Sequence, residues 1–524
     1  MLHKGSTDSL AKTMLLQCLF FAGTVGIQWF SFQFAPNGGV TSPLWPVSGW
    51  VFACFWIFGK RPALSILLGN LFLSFGILND ILGAVLFSLV NTAAPFFSVT
   101  LLRRLNATKL LLNSLNNLLL FIVAGAFVCA SLTATLGLAI NLTFDVVDLP
   151  VEEFFQVWFL SGLSGIIIFA PIFKEFLQLS LPFSVPHVRF EFILLLLIDC
   201  CARFLLFTGA FWGGVSTYPL TFLLMPIAFW AGLRMTFSEI TIYVVFFFML
   251  SVGGTLNSFG PFAAYSPCTS LLLVQLYAVT QAVMIYIIFA ILTERKKEHD
   301  RVKQVHDVTV MTLASLADTR DHETGLHIVR TKYYVKELSE ELRRRNEFPD
   351  IITQEFIDHI TMSAPLHDIG KIGIPDSILM KPGKLSEDEF EIIKTHSRIG
   401  EQVLCRMLSL LDDGAHLRTA VDIAGTHHEK WDGSGYPYGL KGNEIPLAGR
   451  IMAVADVYDA LTMERVYKKA MPHDEAIDVM LGERGKHFDP VVLDTFLTIG
   501  DRINEVSSNM DFYEGVKLTG VSSS

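Results

Sequence analysis

Apolar runs of about 17–25 residues follow one another through the first 293 positions, and then the pattern changes. The runs lie near 13–34, 42–59, 63–79, 82–102, 116–140, 154–173, 191–213, 217–232, 237–256 and 269–293. A helix of that length can cross a hydrocarbon core of ~30 Å. Beyond Glu294 polar and apolar positions mix as in an ordinary soluble domain. The pattern predicts an all-α chain in two parts. Residues 1–293 form a polytopic transmembrane bundle of about ten spans, followed by a cytoplasmic all-α domain.

Loop charge orients the bundle. Lys4 and Lys12 precede the first run, Lys60 and Arg61 follow the second, and Arg103, Arg104 and Lys109 follow the fourth. Lys174 and Arg189 lie between runs six and seven, Arg234 follows the eighth, and Arg295, Lys296 and Lys297 follow the tenth. The loops between hold Asp80, or Asp145, Asp148, Glu152 and Glu153, without lysine or arginine. Positive loops inside place both termini in the cytoplasm; eight spans would keep the same parity. The first run is too long for a cleaved signal peptide and lacks a small-x-small site after it.

Composition sharpens the division. The chain has 524 residues, 52% hydrophobic and 17% charged, yet twelve of its 14 histidines follow residue 298. Seven cysteines without a CxxC pattern read as reduced packing residues. A net charge of −10 without a basic stripe argues against binding to DNA or RNA polymers.

Three features of the apolar part carry chemistry. In "LLLLIDCCARFLLF", Asp199 and Arg203 are four apart on one helix face, as a functional pair or a structural ion pair. "SPLWPVSGW" and "GPF" place glycine and proline breaks near membrane edges, suited to a ligand pocket or to loop turns. "SPLWPVSGWVFACFWIFGKRPALSILLGN", "VWFLSGLSGIIIFAPIF" and "GGTLNSFGPF" resemble the membrane-associated sensor (MASE-type) family over about 20–293. That resemblance implies a sensory role for an unknown ligand. The family often has an acidic residue where this chain has Ser161 or Ser164.

From the last run the chain continues without glycine or proline to Gly325. Val302, Val305, Thr309, Leu313 and Leu316 form a helical stripe, so 294–320 reads as a helical connector prolonging the last span. Two or so heptads do not establish a coiled coil. His299 and His306 read as a solvated face.

Of four His-Asp dipeptides, only His367-Asp368 sits at an apolar helix end breaking into a glycine-rich turn, "APLHDIGKIGIPDSILMKPGKL", with Lys371 three residues on. Glu323 and His327 are four apart in "DHETGLHIVR", one above the other if helical. His396 lies in "EIIKTHSRIG", where Ile392, Ile393 and Ile399 are expected to bury the neighbouring face. His427 and His428 would be about 100° apart on a helix and so serve adjacent metals, or a metal and a substrate. Asp456 sits inside the apolar helix "AGRIMAVADVYDALT" and needs a partner or cation to stay ionised. Nitrogen and oxygen donors without thiolate suit iron, manganese or a catalytic zinc, in two or three ions. Paired metals are a standard device for phosphodiester hydrolysis.

"HHEKWDGSGYP", "GLKGNEIPLAGRIMAVADVYDALT", "RVYKKA" and "GKHFDP", with His367-Asp368, resemble the HD-GYP branch of the HD-domain phosphohydrolases over about 310–498. The resemblance leaves 499–524 as a tail. It implies an HD-superfamily helical domain that hydrolyses cyclic di-GMP to pGpG, or onward to GMP, at a bi- or trinuclear iron or manganese centre. His327, His367, Asp368, His396, His427, His428 and Asp456 fall on its metal-ligand positions, and Glu323 on the position permitting a third metal. The resemblance also implies Asp368 and Lys371 as catalytic groups. Lys371, Tyr436, Arg465 and Lys468 would bind substrate, the last two gripping phosphate. His322, His359, His416, His473 and His487 match no ligand position. The whole chain would then be a multi-pass protein of a bacterial inner membrane, paired as a homodimer, with its catalytic domain in the cytoplasm. A silent nucleotide-binding or interaction module, a hydrolase of another cyclic dinucleotide, and a transporter are the rivals; no inverted repeat supports transport.

Overall fold

The computed structural model describes residues 4–35, 42, 44–77, 80–105, 114–147, 149–178, 189–207, 220–263, 265–318, 326–410, 414–463 and 470–505. The described residues form helices and no strand. The chain divides into two units, Met1–His299 and Asp300–Ser524.

The first unit holds α1 (Lys4–Phe32), α2 (Pro46–Phe58), α3 (Ala63–Ile77) and α4 (Ile81–Arg104). After them come α5 (Leu115–Phe144), α6 (Val151–Leu177), α7 (Phe190–Phe207), α8 (Met225–Arg234) and α9 (Phe237–Leu256). The last helix, α10, runs for 52 residues, Pro267–Asp318, and so continues beyond this unit. Each of the ten apolar runs holds one of these helices. Among the described residues, six of these helices are long and apolar enough to cross a membrane by themselves: α1, α4, α5, α6, α9 and α10.

The shorter helices have physical reasons. At ~1.5 Å per residue, α2 reaches only about 20 Å, but it is enclosed: Val51, Phe52, Ala53, Cys54 and Phe55 are all buried. Its carbonyl end is satisfied by Arg103, which donates to Phe55 O at 3.0 Å and Trp56 O at 2.9 Å. Gly49 lets α2 approach α6 closely, since a Cβ there would lie 2.3 Å from Gly165 O. Large apolar side chains such as Leu64, Phe72, Leu197 and Phe204 stay exposed, as a lipid-facing surface requires. Two π-helical segments, Phe121–Phe127 and Gly165–Phe169, interrupt α5 and α6.

The pair read from α7 forms. Arg203 Nε lies 2.6 Å from Asp199 Oδ2, and both side chains are buried. Ser251 Oγ accepts from Arg203 at 2.9 Å, Tyr243 donates to Asp199 at 3.2 Å, and the guanidinium lies 4.9 Å from the Phe247 ring centre. Two charges with all these partners lock α7 to α9.

In the second unit α11 (Leu326–Arg344), α12 (Gln354–Ser363), α13 (Glu387–Leu408), α14 (Ala415–Thr426) and α15 (Leu447–Thr462) precede α16 (His473–Gly482) and α17 (Pro490–Leu497). Helix α15 is central, burying Ile451, Met452, Val454, Ala455 and Tyr458 against Tyr334, Leu338, Val492 and Phe496. Near the end of α10, Ala314 and Ala317 are buried, and Val310 packs against the separate cluster of Leu366, Leu404, Ala420 and Ala424. The stripe Val302, Val305, Leu313 and Leu316 is exposed instead.

Candidate metal centre

The His-Asp dipeptide is delivered by a chain reversal. Helix α12, capped by the Thr353 hydroxyl, ends at Ser363; a 3₁₀ turn Ala364–Leu366 leads to His367 and Asp368, and a second, Ile369–Gly373, follows. Gly370 presses this second turn against α13: a Cβ there would lie 2.0 Å from His396 O and 2.5 Å from Gly400 N. The buried face of α13 is therefore His396, Ser397, Gly400 and Leu404, whereas Ile392 is exposed and Ile393 and Ile399 are only partly covered. The isoleucine face expected from the sequence is thus corrected, because backbone contact needs small residues there.

Two groups of donors assemble. Asp368, His396, His427 and His428 form one; His327, His367 and Asp456 form the other, with donor atoms within 4.8 Å of one another in each. Asp368 reaches both. Its Oδ1 lies 3.2 Å from His396 Nε2 and 3.6 Å from His427 Nε2, and its Oδ2 lies 3.2 Å from His367 Nε2. In the second group His327 Nε2 lies 3.4 Å from His367 Nε2 and 3.7 Å from Asp456 Oδ1. His427 and His428 share the first group, with ring centres 4.0 Å apart. Helix α14 runs to Thr426 with His427 as its αR cap, and the two neighbouring rings reach one donor group rather than two.

The ring orientations favour cation binding. Nδ1 of His367, His396 and His427 lies 3.0, 2.7 and 2.9 Å from the carbonyl oxygens of Ala364, Ile393 and Ile423. A carbonyl only accepts, so Nδ1 carries the proton and Nε2 keeps its lone pair. Asp459 does the same for His327, at 2.8 Å from Nδ1, and is itself held by Arg330 at 2.7 and 2.9 Å. Asp368 Oδ1 and His427 Nε2 are buried without a hydrogen-bond partner among the described residues. Buried orphan acceptors converging on one point are what a divalent cation satisfies, so this His/Asp cluster could hold divalent metals.

Charge supports the same reading. Burial pushes the Asp368 carboxyl upward, but Lys371, His367 and His396 outweigh it and hold the group well below the usual carboxylate range. Burial, then the neighbouring histidines, hold His428 well below the usual imidazole value; burial lowers His427 against the pull of Asp368. Both imidazoles are then neutral at pH 7, as ligation needs. Lys371 Nζ sits 2.9 Å from Asp368 Oδ2. Tyr436 packs 4.8 Å from His428, ring centre to ring centre, and burial, then Asp368 and Asp456, raise its hydroxyl. Glu323, Arg465 and Lys468, with His322, lie outside the described residues. His473 instead bonds the Tyr458 hydroxyl at 2.8 Å, and His487 stacks on Phe488.

Sequence reasoning missed three residues. Arg330 and Asp459 each stand one helical turn beyond a donor, His327 and Asp456, and that spacing was the available signal. Glu429, next to the histidine pair, is buried and accepts from the amides of Tyr438, Gly439 and Leu440 at 2.7, 3.1 and 3.1 Å, tying down the loop that carries Tyr436. Gly433 enters this loop at φ +87°, where a side chain would be strained. Asp459→Asn should weaken divalent-metal binding ~10–100-fold by freeing the His327 ring. Titration calorimetry with Mn²⁺ checks this; wild-type affinity would deny Asp459 an orienting role.

Comparison with known proteins agrees with this geometry. Residues 311–492 match the HD domain family. A cyclic di-GMP phosphodiesterase of Vibrio cholerae serotype O1 is 48% identical over 210 residues, 40% of this chain and 43% of that protein. A probable cyclic di-GMP phosphodiesterase of the same organism is 50% identical over 206 residues, 39% and 47% of the two chains. A cyclic di-GMP phosphodiesterase of Thermotoga maritima is 43% identical over 194 residues, 37% and 49%. The chain thus spans under half the length of each of these relatives. The first unit matches along nearly its whole length: with residues 14–296 matched, over half of the sequence, the chain belongs to the MASE1 family and carries an HD domain behind its membrane part.

Proposed function

We propose that this protein is a membrane-anchored cyclic di-GMP phosphodiesterase, producing pGpG or GMP and regulated by its membrane unit. The observation that carries this reading is the pair of buried donor groups joined by Asp368. His327, His367 and Asp456 would hold one cation, His396, His427 and His428 another, with Asp368 shared; Glu323 would add a third. Iron or manganese suits these nitrogen and oxygen donors. Such cations, when bound, polarise the phosphodiester and lower the pKa of the attacking water.

The protein's own groups do the rest. Asp368, kept ionised, fixes the shared position, and Lys371 offsets negative charge that develops on the phosphate. Glu429 holds the loop that brings Tyr436 to the lip, and Arg465 and Lys468 grip the phosphates. The full chain in lipid nanodiscs, loaded anaerobically with Mn²⁺ or Fe²⁺, should convert cyclic di-GMP to pGpG or GMP, read by chromatography. Intact substrate with fully loaded protein would sink the proposal. A cellular effect surviving His367→Ala plus Asp368→Ala would favour a non-catalytic interaction module.

The reading places about ten spans in a bacterial inner membrane, with both termini and the HD domain in the cytoplasm. A homodimer pairing along α10 would cover the exposed Val302, Val305 and Leu313. Inserting two residues near Val302 turns the helix beyond it by roughly 200°, while seven turn it to within ~20° of two full turns. Hydrolysis in nanodiscs should therefore change more with two residues than with seven. Equal, wild-type rates for both would make α10 a passive tether.

A further inference from the structure

The membrane unit contains a partly enclosed cavity of about 40 Å³ beside the start of α2, room for roughly three waters. Its wall is more apolar than polar and carries no charge; its polar residues are Ser42, Ser48, Asn91, Thr133 and Ser161. The aromatic part of the wall is Trp45 and Trp158. "SPLWPVSGW", the proline- and glycine-broken stretch of the sequence, thus supplies Ser42, Trp45 and Ser48.

Several hydroxyl protons are already spent. Thr133 donates to Cys129 O at 3.1 Å and Ala130 O at 3.0 Å, and Ser42 donates to Leu44 O at 3.0 Å. Ser42 Oγ also accepts from Leu44 N at 3.2 Å, whereas Thr133 Oγ1 keeps acceptor capacity for a ligand that donates. An anion brings no proton and meets no cation on the wall, and a buried ammonium meets no carboxylate. The chemistry selects a neutral molecule bearing N–H or O–H groups.

A second observation ties the cavity to α10. Gln275 on that helix is buried and donates to the cavity residue Ser161 at 3.4 Å, while its Oε1 has no partner among the described residues. The π-helical segment Gly165–Phe169 begins three residues beyond Gly162, so α6 here departs from regular helix. A Cβ on Gly162 would meet Thr133 Oγ1 at 3.5 Å and Ala130 Cβ at 3.6 Å, ordinary contacts, so a methyl group there narrows the cavity without disturbing the fold.

We propose that this cavity is the ligand site of the membrane unit, that it takes a small uncharged N–H or O–H donor, and that occupancy is passed to α10 through Ser161 and Gln275. Only the last step rests on the phosphodiesterase reading. The full chain in nanodiscs is titrated with acetamide, and with acetate and methylammonium as charged molecules of like size, following tryptophan emission. Acetamide should give a saturating change with a midpoint on the order of 1–10 mM, as suits a ligand of so few atoms; the two ions should not saturate. Gly162→Ala and Ser161→Ala should raise the midpoint at least ~10-fold while unfolding at the wild-type temperature. Saturation absent for acetamide, which would mean a cavity of water only, overturns the site; so do acetate binding equally well and both variants matching the wild type. Gln275→Leu should keep the midpoint within ~3-fold yet abolish the effect of acetamide on cyclic di-GMP hydrolysis. A hydrolysis rate that acetamide leaves unchanged in the wild type overturns the transmission step. A chain that binds acetamide but hydrolyses nothing counts against the phosphodiesterase reading and leaves the site standing.

Discussion

Asp368→Asn should cost the protein at least one equivalent of bound metal and lower cyclic di-GMP hydrolysis by at least ~10²–10³-fold, the scale of losing a charge-stabilising group in a site. Its carboxylate is the one among the described residues that touches both donor groups, within 3.2 Å of His396 and of His367. The amide keeps the shape but removes the charge and one acceptor, and its NH₂ would face imidazole or Lys371. Elemental analysis and turnover, measured on the same sample, check the result. Full metal content with turnover inside ~10-fold of wild type would show that Asp368 does not join the two positions. Thermal unfolding separates this from a folding defect.

Gly370→Ala should be nearly as damaging from outside the donor set. The added methyl would sit 2.0 Å from His396 O and 2.5 Å from Gly400 N, both backbone atoms that cannot rotate away. Either the turn or α13 must move. Overpacking of this kind costs about 1–3 kcal/mol. Because Asp368 and His396 lie on the two sides of the contact, their 3.2 Å approach opens as well. A displacement of ~1 Å can cost ~10²-fold in rate. Chemical denaturation and hydrolysis assays read the two effects, and a variant with wild-type stability and rate would show that the contact relaxes freely.

The donor set was legible in the sequence because its residue types are costly to bury unless something binds them. Seven of the eight proposed ligands, His327, His367, Asp368, His396, His427, His428 and Asp456, come together as two groups; the eighth, Glu323, lies outside the described residues. The helical character of both units was legible too, from the length of the apolar runs and their uninterrupted hydropathy. Geometry that depends on where a helix stops was not. The sequence left open whether the histidine pair was helical; His427 forms the αR cap of α14, and both rings join one donor group. The stripe on α10 shows another limit: periodicity marks an apolar face but not which residues neighbouring elements cover, and Ala314 and Ala317 are buried while Val302 and Val305 stay exposed. Hydropathy likewise does not distinguish a helix that crosses lipid from one as enclosed as α2.

The carbonyl anchors of the histidines divide the centre into parts of unequal durability. His396 is oriented by an oxygen three residues back in α13, and His427 by one four residues back in α14, whose cap it forms, so those rings stay aimed as long as one turn of helix persists. His327 is aimed by Asp459, 132 positions further along the chain, and loses its aim once α11 and α15 part. Gentle denaturation should accordingly empty the centre in sequence, the His327 side first, leaving a half-loaded protein with its second cation still in place.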